Sequence, residues 1–251
     1  MKKLLSHFNL GDAYEIEARV LPAMLVVLPV AILLAQLSLA KGNWMAMIGW
    51  GAGFEIVLAV LVSKAGHALG TRLHKRLEVK WGGLPTHRWI NPSDTSHSEQ
   101  QKRVWRIAVS HLSGLDIDAE LTSSDPDEIK RIIADAIMTC RSRLRDVPEG
   151  SLVQKYNVMF GFARNLAGMK WLALTLCLAC FLASAYGSLY HQFELSGTLI
   201  QALFLVIAII NVWTASGYVK HCAARYAEFF YAAVTDLKPN EEITETDTNG
   251  I

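Results

Sequence analysis

One acidic residue, Glu55, lies about halfway along an apolar stretch, Trp44–Val62. A carboxylate at the centre of a bilayer costs about 2.5 kcal/mol or more, so such a group is expected to be protonated, paired or turned toward a polar cavity. A second polar residue, Asn211, lies near the middle of the last apolar stretch. We predict that Glu55 and Asn211 face each other across a helix bundle or line a shared path in an oligomer. The alternative is a neutral carboxyl that is hydrogen-bonded within one subunit.

The other reactive residue types do not form a catalytic pattern. The sequence has no phosphate-binding loop, no dinucleotide-binding glycine motif, no H-E-x-x-H and no G-x-S-x-G. Its eight His residues are scattered, without partners at metal-ligand spacing. Cys177 and Cys180 form a C-x-x-C pair within an apolar stretch, which lacks the electropositive setting of a reactive dithiol. We therefore predict that the protein is not an enzyme and has no cofactor or metal.

Hydrophobic residues, 52% of the chain, are concentrated in four stretches: Leu21–Ala40, Trp44–Val62, Trp171–Tyr190 and Thr198–Gly217. Each has about the 20 residues that a helix needs to cross ~30 Å of hydrocarbon. We expect the first to be a retained span rather than a signal peptide, because it is too long and follows a charged segment. The predicted fold class is all-α: an integral membrane protein whose two transmembrane hairpins flank a helical cytoplasmic domain.

The stretches define the predicted segments. They are an N-terminal interfacial or cytoplasmic segment (1–20), hairpin 1 (21–62), a cytoplasmic helical domain (63–169), hairpin 2 (170–217), a cytoplasmic amphipathic helix (218–237) and a disordered acidic tail (238–251).

The two short turns between spans carry a single cation, Lys41, whereas most Lys and Arg residues lie in the central domain. Because short cytoplasmic loops are enriched in Lys and Arg, we expect a bacterial inner-membrane protein with both termini in the cytoplasm.

Two helices are predicted within the central domain. Side chains at Asp94–Ser98 can cap one helix, which ends at Gly114. The second begins at Pro126 after a capping Ser124 or Asp125, and its apolar residues recur at helical spacing.

Some residues are predicted to contact other subunits. Gly49 and Gly53 form a G-x-x-x-G pair in the second span, where another backbone could approach closely. Phe229 and Phe230 belong to a wide aromatic face, which either packs on the central domain or forms subunit contacts. We expect a homo-oligomer.

Another set is predicted at the cytoplasmic membrane surface: Trp81, His87, Arg88, Trp89, Arg164 and Asn165. The first four belong to a loop rich in Gly and Pro, which rests on the membrane, meets another subunit or docks into its own domain. The last two precede the third span, where they either cap helix ends or hold lipid phosphate groups. Basic residues of this region are expected to attract anionic lipid, and nucleic-acid binding is not expected.

Three short motifs are similar to those of a known group of proteins. They are G-D-A-Y-E with A-R and P at residues 11–22, G-G-L-P-T at 82–86 and F-G-F-A-R-N-L at 160–166. Together they resemble a family of uncharacterised bacterial four-span inner-membrane proteins, over about residues 11–220. That family usually has Tyr where this chain has Phe160. The plan is also similar to that of small membrane effectors of anti-phage systems, which implies a role in disturbing the inner membrane.

These patterns favour a non-enzymatic membrane effector or sensor that oligomerises and gates or perturbs the membrane on a signal from a cytosolic protein or small molecule. The alternative is an ion or proton channel or transporter subunit with Glu55 and Asn211 lining the path. A third interpretation is a membrane enzyme acting on lipid at the cytoplasmic interface, with His87, Arg88, Arg164 and Asp94.

Overall fold

A computed structural model describes residues 13–40, 53–121, 125–145, 147–190 and 193–237. These residues are mostly helical, and no strand occurs among them. The all-α prediction is confirmed for this part of the chain. The beginning of the predicted N-terminal segment, the residues around Gly49 and the predicted acidic tail lie outside the described residues.

The chain enters its first long helix through two short turns, a helical one at Ala13–Glu15 and a π-helical one at Ile16–Val20. The helices that follow are α1 (Leu21–Ala40), α2 (Phe54–Trp81), α3 (Pro85–Arg88), α4 (Glu99–Ser113), α5 (Ile117–Glu120), α6 (Pro126–Leu144), α7 (Gly150–Gly168), α8 (Lys170–Leu189) and α9 (Leu195–Asp236).

Four helical segments among the described residues are long and apolar enough to cross a membrane: Ile16–Ala40, Phe54–Arg88, Lys170–Leu189 and Leu195–Asp236. Each overlaps one of the four predicted stretches, so the prediction of four apolar helices of membrane-crossing length is confirmed. Of the second predicted stretch, residues 44–52 lie outside the described residues. Large apolar side chains remain exposed on these helices, among them Ile56, Val57, Leu61, Leu203, Val206, Ile210 and Trp213. Such extensive apolar surface is rare on water-soluble monomers and is typical of a membrane or protein interface.

The described chain forms two compact units. Unit 1 comprises Met1–Gly82 and Tyr156–Ala223, and unit 2 comprises Gly83–Lys155 and Ala224–Ile251. The first boundary between the units lies after Gly82, directly beyond the end of α2 at Trp81. The helices α7 and α9 each contribute residues to both units.

The core of unit 1 is built mainly from small side chains of α1, α2 and α8. Its buried residues are Ala23, Val26, Val27, Ala59, Met169 and Ala173. Small residues at helix contacts let two backbones approach closely, which favours helix association in lipid.

The core of unit 2 lies where its amphipathic helices meet. Its most deeply buried residues include Ile90, Val109, Ile117, Ile133, Ile137, Leu144, Phe230 and Tyr231. The two predicted helices are confirmed as α4 and α6: Ser98 accepts a hydrogen bond from Gln101 N–H (3.2 Å) and Asp125 accepts one from Asp127 N–H (2.9 Å). Gly114 ends α4 with a φ of +78°, which favours glycine.

Candidate functional site

A buried side chain holds the turn that precedes the first span. Within Ile16–Val20 the backbone is π-helical, and Leu21 N–H donates to the Ile16 carbonyl five residues earlier. Asn165 Nδ2 donates to the Ala18 carbonyl at 2.7 Å, and both residues are almost completely buried. Because an unsatisfied buried polar group costs about 1–3 kcal/mol, this bond fixes the turn against α7.

The helices α2 and α7 touch through glycines. A Cβ added to Gly168 would lie 2.5 Å from the Gly70 backbone nitrogen. A Cβ added to Gly70 would lie 3.0 Å from Asn165 Cα. No larger residue fits this crossing without movement of the backbone, and Asn165 is thereby held beside α2.

Two arginines lie at the same junction, and one of them has an acidic partner. Arg19 forms an ion pair with Glu15, one helical turn earlier. Arg164 has no ion pair with any carboxylate of the described residues. His67 on α2 lies within range of the charges of Arg19, Arg164 and Glu15. The Nε atoms of both arginines and Nδ1 of His67 are buried without a hydrogen-bond partner in the described part of the chain.

Burial also acts on the charge of Arg164. It lowers the pKa of this guanidinium below its ordinary value; Tyr14 opposes the shift, and the positive charge of Arg19 adds to it. The guanidinium of arginine nevertheless stays protonated in proteins at neutral pH. The site is therefore a partly buried cationic cluster, and we call its residues the Arg164 cluster: Tyr14, Glu15, Arg19, His67, Arg164 and Asn165.

The first and third sequence motifs meet in the Arg164 cluster. Gly161 of the third motif packs on the first: a Cβ there would lie 3.0 Å from Ala18 Cβ and 3.1 Å from the Tyr14 hydroxyl. The ring of Phe160 lies edge-on to the His74 ring, with 5.5 Å between centroids. Residues about 150 positions apart in the sequence thus form one site.

The second motif organises unit 2 instead. Gly83 has a φ of +114°, a conformation that favours glycine. The Thr86 carbonyl accepts a hydrogen bond from the Tyr231 hydroxyl at 2.5 Å, and the Thr86 hydroxyl accepts one from Arg141 at 3.5 Å. Tyr231 in turn stacks on Trp105, with 4.6 Å between ring centroids. These contacts anchor the loop in the core of unit 2.

The predicted surface loop is held by the same unit. Trp89 is 7% exposed and stacks on Trp105 at 5.8 Å. Arg88 forms an ion pair with Asp94 at 2.7 Å, and His87 Nδ1 lies 3.1 Å from the Thr86 hydroxyl. Of the three roles considered for this loop, these contacts support docking into its own domain. Trp81 is the last residue of α2 and is partly exposed.

The predicted intramembrane pair is not joined by a hydrogen bond. Glu55 and Asn211 are both partly exposed, and the described residues include no polar contact between them. A shared path in an oligomer remains a prediction. Gly53 has open space where a Cβ would be, and its predicted partner Gly49 lies outside the described residues.

The two aromatic residues predicted at a subunit contact differ in exposure. Phe230 is completely buried within unit 2, where its ring lies 5.3 Å from that of Tyr231. Phe229 is partly exposed, and the Arg225 guanidinium lies 5.2 Å from its ring centroid. For Phe230, packing on its own domain is the alternative that the structure supports.

A polar chain within the apolar helices was missed by sequence reasoning. Ser184 Oγ donates to Gln36 Oε1 at 3.0 Å and lies 3.0 Å from the Thr198 hydroxyl. Gln201 Nε2 donates to the Pro29 carbonyl at 2.9 Å. Gln36 also lines a cavity of about 460 Å³. The available signal was a glutamine within an apolar stretch, the same kind of signal that drew attention to Glu55.

Comparisons with known proteins do not assign this chain to a family. No protein-family model, no curated protein and no solved structure matches it. Within the described residues, no group of three or more His, Cys, Asp or Glu side chains is placed to hold a metal ion. The Arg164 cluster is therefore the candidate site that the geometry itself supports.

Proposed function

We propose that the protein is a non-enzymatic sensor or effector of the bacterial inner membrane. The four apolar helices would form two transmembrane hairpins, with both termini and unit 2 in the cytoplasm. The protein would oligomerise, receive a signal from a cytosolic protein or small molecule, and respond by gating or perturbing the bilayer. Such a response would suit defence against phage.

Exposed apolar side chains support insertion into lipid. Trp213, in the apolar part of α9, is 84% exposed, and Val57 and Leu61 on α2 are each 61% exposed. In water this surface would be unfavourable, because burying apolar area contributes about 25 cal/mol of free energy per Å² and the exposed area forgoes it. A bilayer or neighbouring subunits would cover it.

The observation that carries the proposal is the position of the Arg164 cluster. It joins the turn before the first span, the polar continuation of the second and the helix before the third. Small residues hold these three elements in direct contact, so a shift of one must move the others or break the contact. The helix α7, which carries Arg164 and Asn165, also has residues in unit 2, so it provides a covalent route from a cytosolic signal to the spans.

The test is membrane permeability in bacteria that express the full-length chain, alone and together with the genes that neighbour its own. We expect uptake of a membrane-impermeant dye to rise with expression. Gly168→Ala should reduce uptake because it disturbs the α2–α7 crossing, whereas Gly217→Ala is a matched control at a helical glycine with open space around it. No uptake under either condition, with the wild-type chain present in the membrane fraction, would contradict the proposal.

The second candidate is a channel or transporter subunit, which we propose because polar groups occur inside the apolar helices. Gln36, Ser184, Thr198 and Gln201 form hydrogen bonds there, and Glu55 and Asn211 add two further polar side chains. Polar residues within spans often mark the path of an ion. This candidate predicts a selective flux, whereas the leading proposal predicts loss of the membrane barrier.

A further inference from the structure

We infer that the Arg164 cluster binds a phosphate group, either of an anionic lipid head group or of a phosphorylated solute. This inference rests on the proposed function and names what the site would detect. It is carried by Arg164 and Arg19, which adjoin the hydrogen-bonded Asn165 and Ala18 and lie within range of each other's charge, while Glu15 pairs with Arg19 alone.

The charges of the cluster do not balance among the described residues. Arg19 and Arg164 bring two positive charges, and Glu15 brings one negative charge, which is engaged by Arg19. A cation is thus unsuited to the cluster, and a neutral apolar ligand would leave the charge uncompensated. An anion is the ligand class that supplies the missing charge.

The two guanidinium groups of the cluster have the same requirement. The Nε atoms of Arg19 and Arg164 are buried N–H donors without an acceptor in the described part of the chain. Burying a charged donor is costly unless it is paired and hydrogen-bonded. A phosphate offers several acceptor oxygens, and the planar guanidinium binds it through two parallel hydrogen bonds.

The location of the three basic side chains fits a phosphate at the membrane surface. Arg19 directly precedes the first span, His67 follows the predicted end of the second at Val62, and Arg164 precedes the third. His67 is five residues from Val62, which is about 7.5 Å along a helix at 1.5 Å per residue. Basic pockets between helices on the cytoplasmic side of a membrane are known to hold lipid head groups.

The binding test uses the purified full-length chain in lipid nanodiscs. One arm compares phosphatidylcholine alone with phosphatidylcholine containing phosphatidylglycerol, and a second arm adds inorganic phosphate or pyrophosphate to phosphatidylcholine nanodiscs. Retention of phosphatidylglycerol is read by native mass spectrometry. Binding of the soluble anions is read from the shift in thermal unfolding.

The variants are Arg164→Gln and the matched control Arg72→Gln, which removes an exposed cation from α2 in the same unit. We expect Arg164→Gln to weaken binding in one of the two arms about ten-fold or more, which corresponds to about 1.4 kcal/mol. Arg72→Gln should change it less than about two-fold. An effect in the phosphatidylglycerol arm alone identifies a lipid ligand, and one in the soluble arm alone identifies a solute.

Two results would overturn the inference. One is wild-type protein that binds neither phosphatidylglycerol nor the soluble anions, a result that does not depend on any variant folding. The other is an equal loss in Arg164→Gln and Arg72→Gln, which would indicate diffuse surface charge. Because binding is read without a permeability assay, failure here and failure of the proposed function are separate outcomes.

A further variant changes Asp12. This acidic residue precedes Tyr14 of the cluster by two positions and lies outside the described residues. A phosphate site predicts that Asp12→Asn keeps or strengthens binding. If the wild type binds neither anion and Asp12→Asn does, the positive charge serves the Asp12 carboxylate, and the inference is wrong.

Discussion

Gly168 lies against Gly70 so closely that a Cβ on Gly168 would stand 2.7 Å from Gly70 Cα. Neither backbone can move aside easily, because Met169 packs beside Gly66 one turn away on α2 and is itself completely buried. This crossing sets the distance between α2 and α7, and with it the position of the Arg164 cluster.

The first prediction is that Gly168→Ala destabilises the protein by about 1–3 kcal/mol, the usual cost of inserting atoms into a filled contact. This loss should exceed the gain of about 1 kcal/mol that alanine brings to a helix. Thermal unfolding in detergent measures the change. Gly217→Ala, which adds its Cβ to open space, should not destabilise, and equal behaviour of the two variants would show that the crossing is not tight.

The second prediction concerns the buried amide of Asn165. Asn165→Ala removes the hydrogen bond to the Ala18 carbonyl, and we expect a loss of about 1–3 kcal/mol. Amide hydrogen exchange should rise at Ile16–Val20 in particular. The control is Asn157→Ala on the same helix, where the side chain is partly exposed; increased exchange in both variants would argue against a specific bond.

The third prediction is a loss of stability in acid that depends on Asp94. Burial by itself would raise the pKa of Asp94, but hydrogen bonds from Ser96 and the charges of Arg88 and His97 lower it below its ordinary value. The stability it contributes is therefore fully present above the ordinary aspartate pKa of about 4. It is lost as the pH falls through the lower pKa of the folded state.

Thermal unfolding between about pH 6 and about pH 3 tests this linkage. Asp94→Asn should lower the stability of the protein at the upper end of this pH range and weaken the dependence of stability on pH. The exposed Asp135 provides the control variant, Asp135→Asn. Parallel curves for wild type and Asp94→Asn would exclude a role for the Asp94 carboxylate.

The fourth prediction is that Cys140 does not react in the folded protein. It is completely buried, and burial raises the pKa of its thiol to about 12, so the reactive thiolate is scarce at neutral pH. Alkylation mapped by mass spectrometry should be at least ~100-fold slower at Cys140 than at a cysteine introduced by Ser142→Cys, at an exposed position of α6. Similar rates would mean that unit 2 opens readily.

The fifth prediction separates the two proposed functions through Glu55. If Glu55 lines a permeation path, Glu55→Gln changes ion selectivity while oligomeric state is kept. Under the leading proposal the variant changes the expression level at which dye enters, without creating or removing selectivity. Flux into liposomes and size analysis of the purified oligomer measure both properties, and Glu78→Gln on the same helix is the control.

The helices of this protein could be predicted because their signals are local. The predicted span Leu21–Ala40 coincides with α1, since about 20 apolar residues and the thickness of the hydrocarbon layer determine its length. Likewise Ser98 and Asp125 cap the helices that they were expected to begin. Each of these features depends on residues within a few positions of one another.

The contacts between helices could not be predicted in the same way. Lys102 lies on the amphipathic helix α4, yet it is 1% exposed, and its Nζ donates to the Asp94 carbonyl at 2.5 Å. The spacing of apolar residues shows which face of a helix is buried but does not identify the helix that covers it.

The sequence alone determined that this chain is helical, that it has four apolar segments and where its polar helices begin, because propensity, capping and length act within one segment. Only the tertiary structure decided that Asn165 meets Ala18, 147 residues away, and that Arg164 lies within range of the charge of Arg19. Those contacts depend on the packing of separate helices through glycines, and packing is a property of complementary surfaces that no single segment contains.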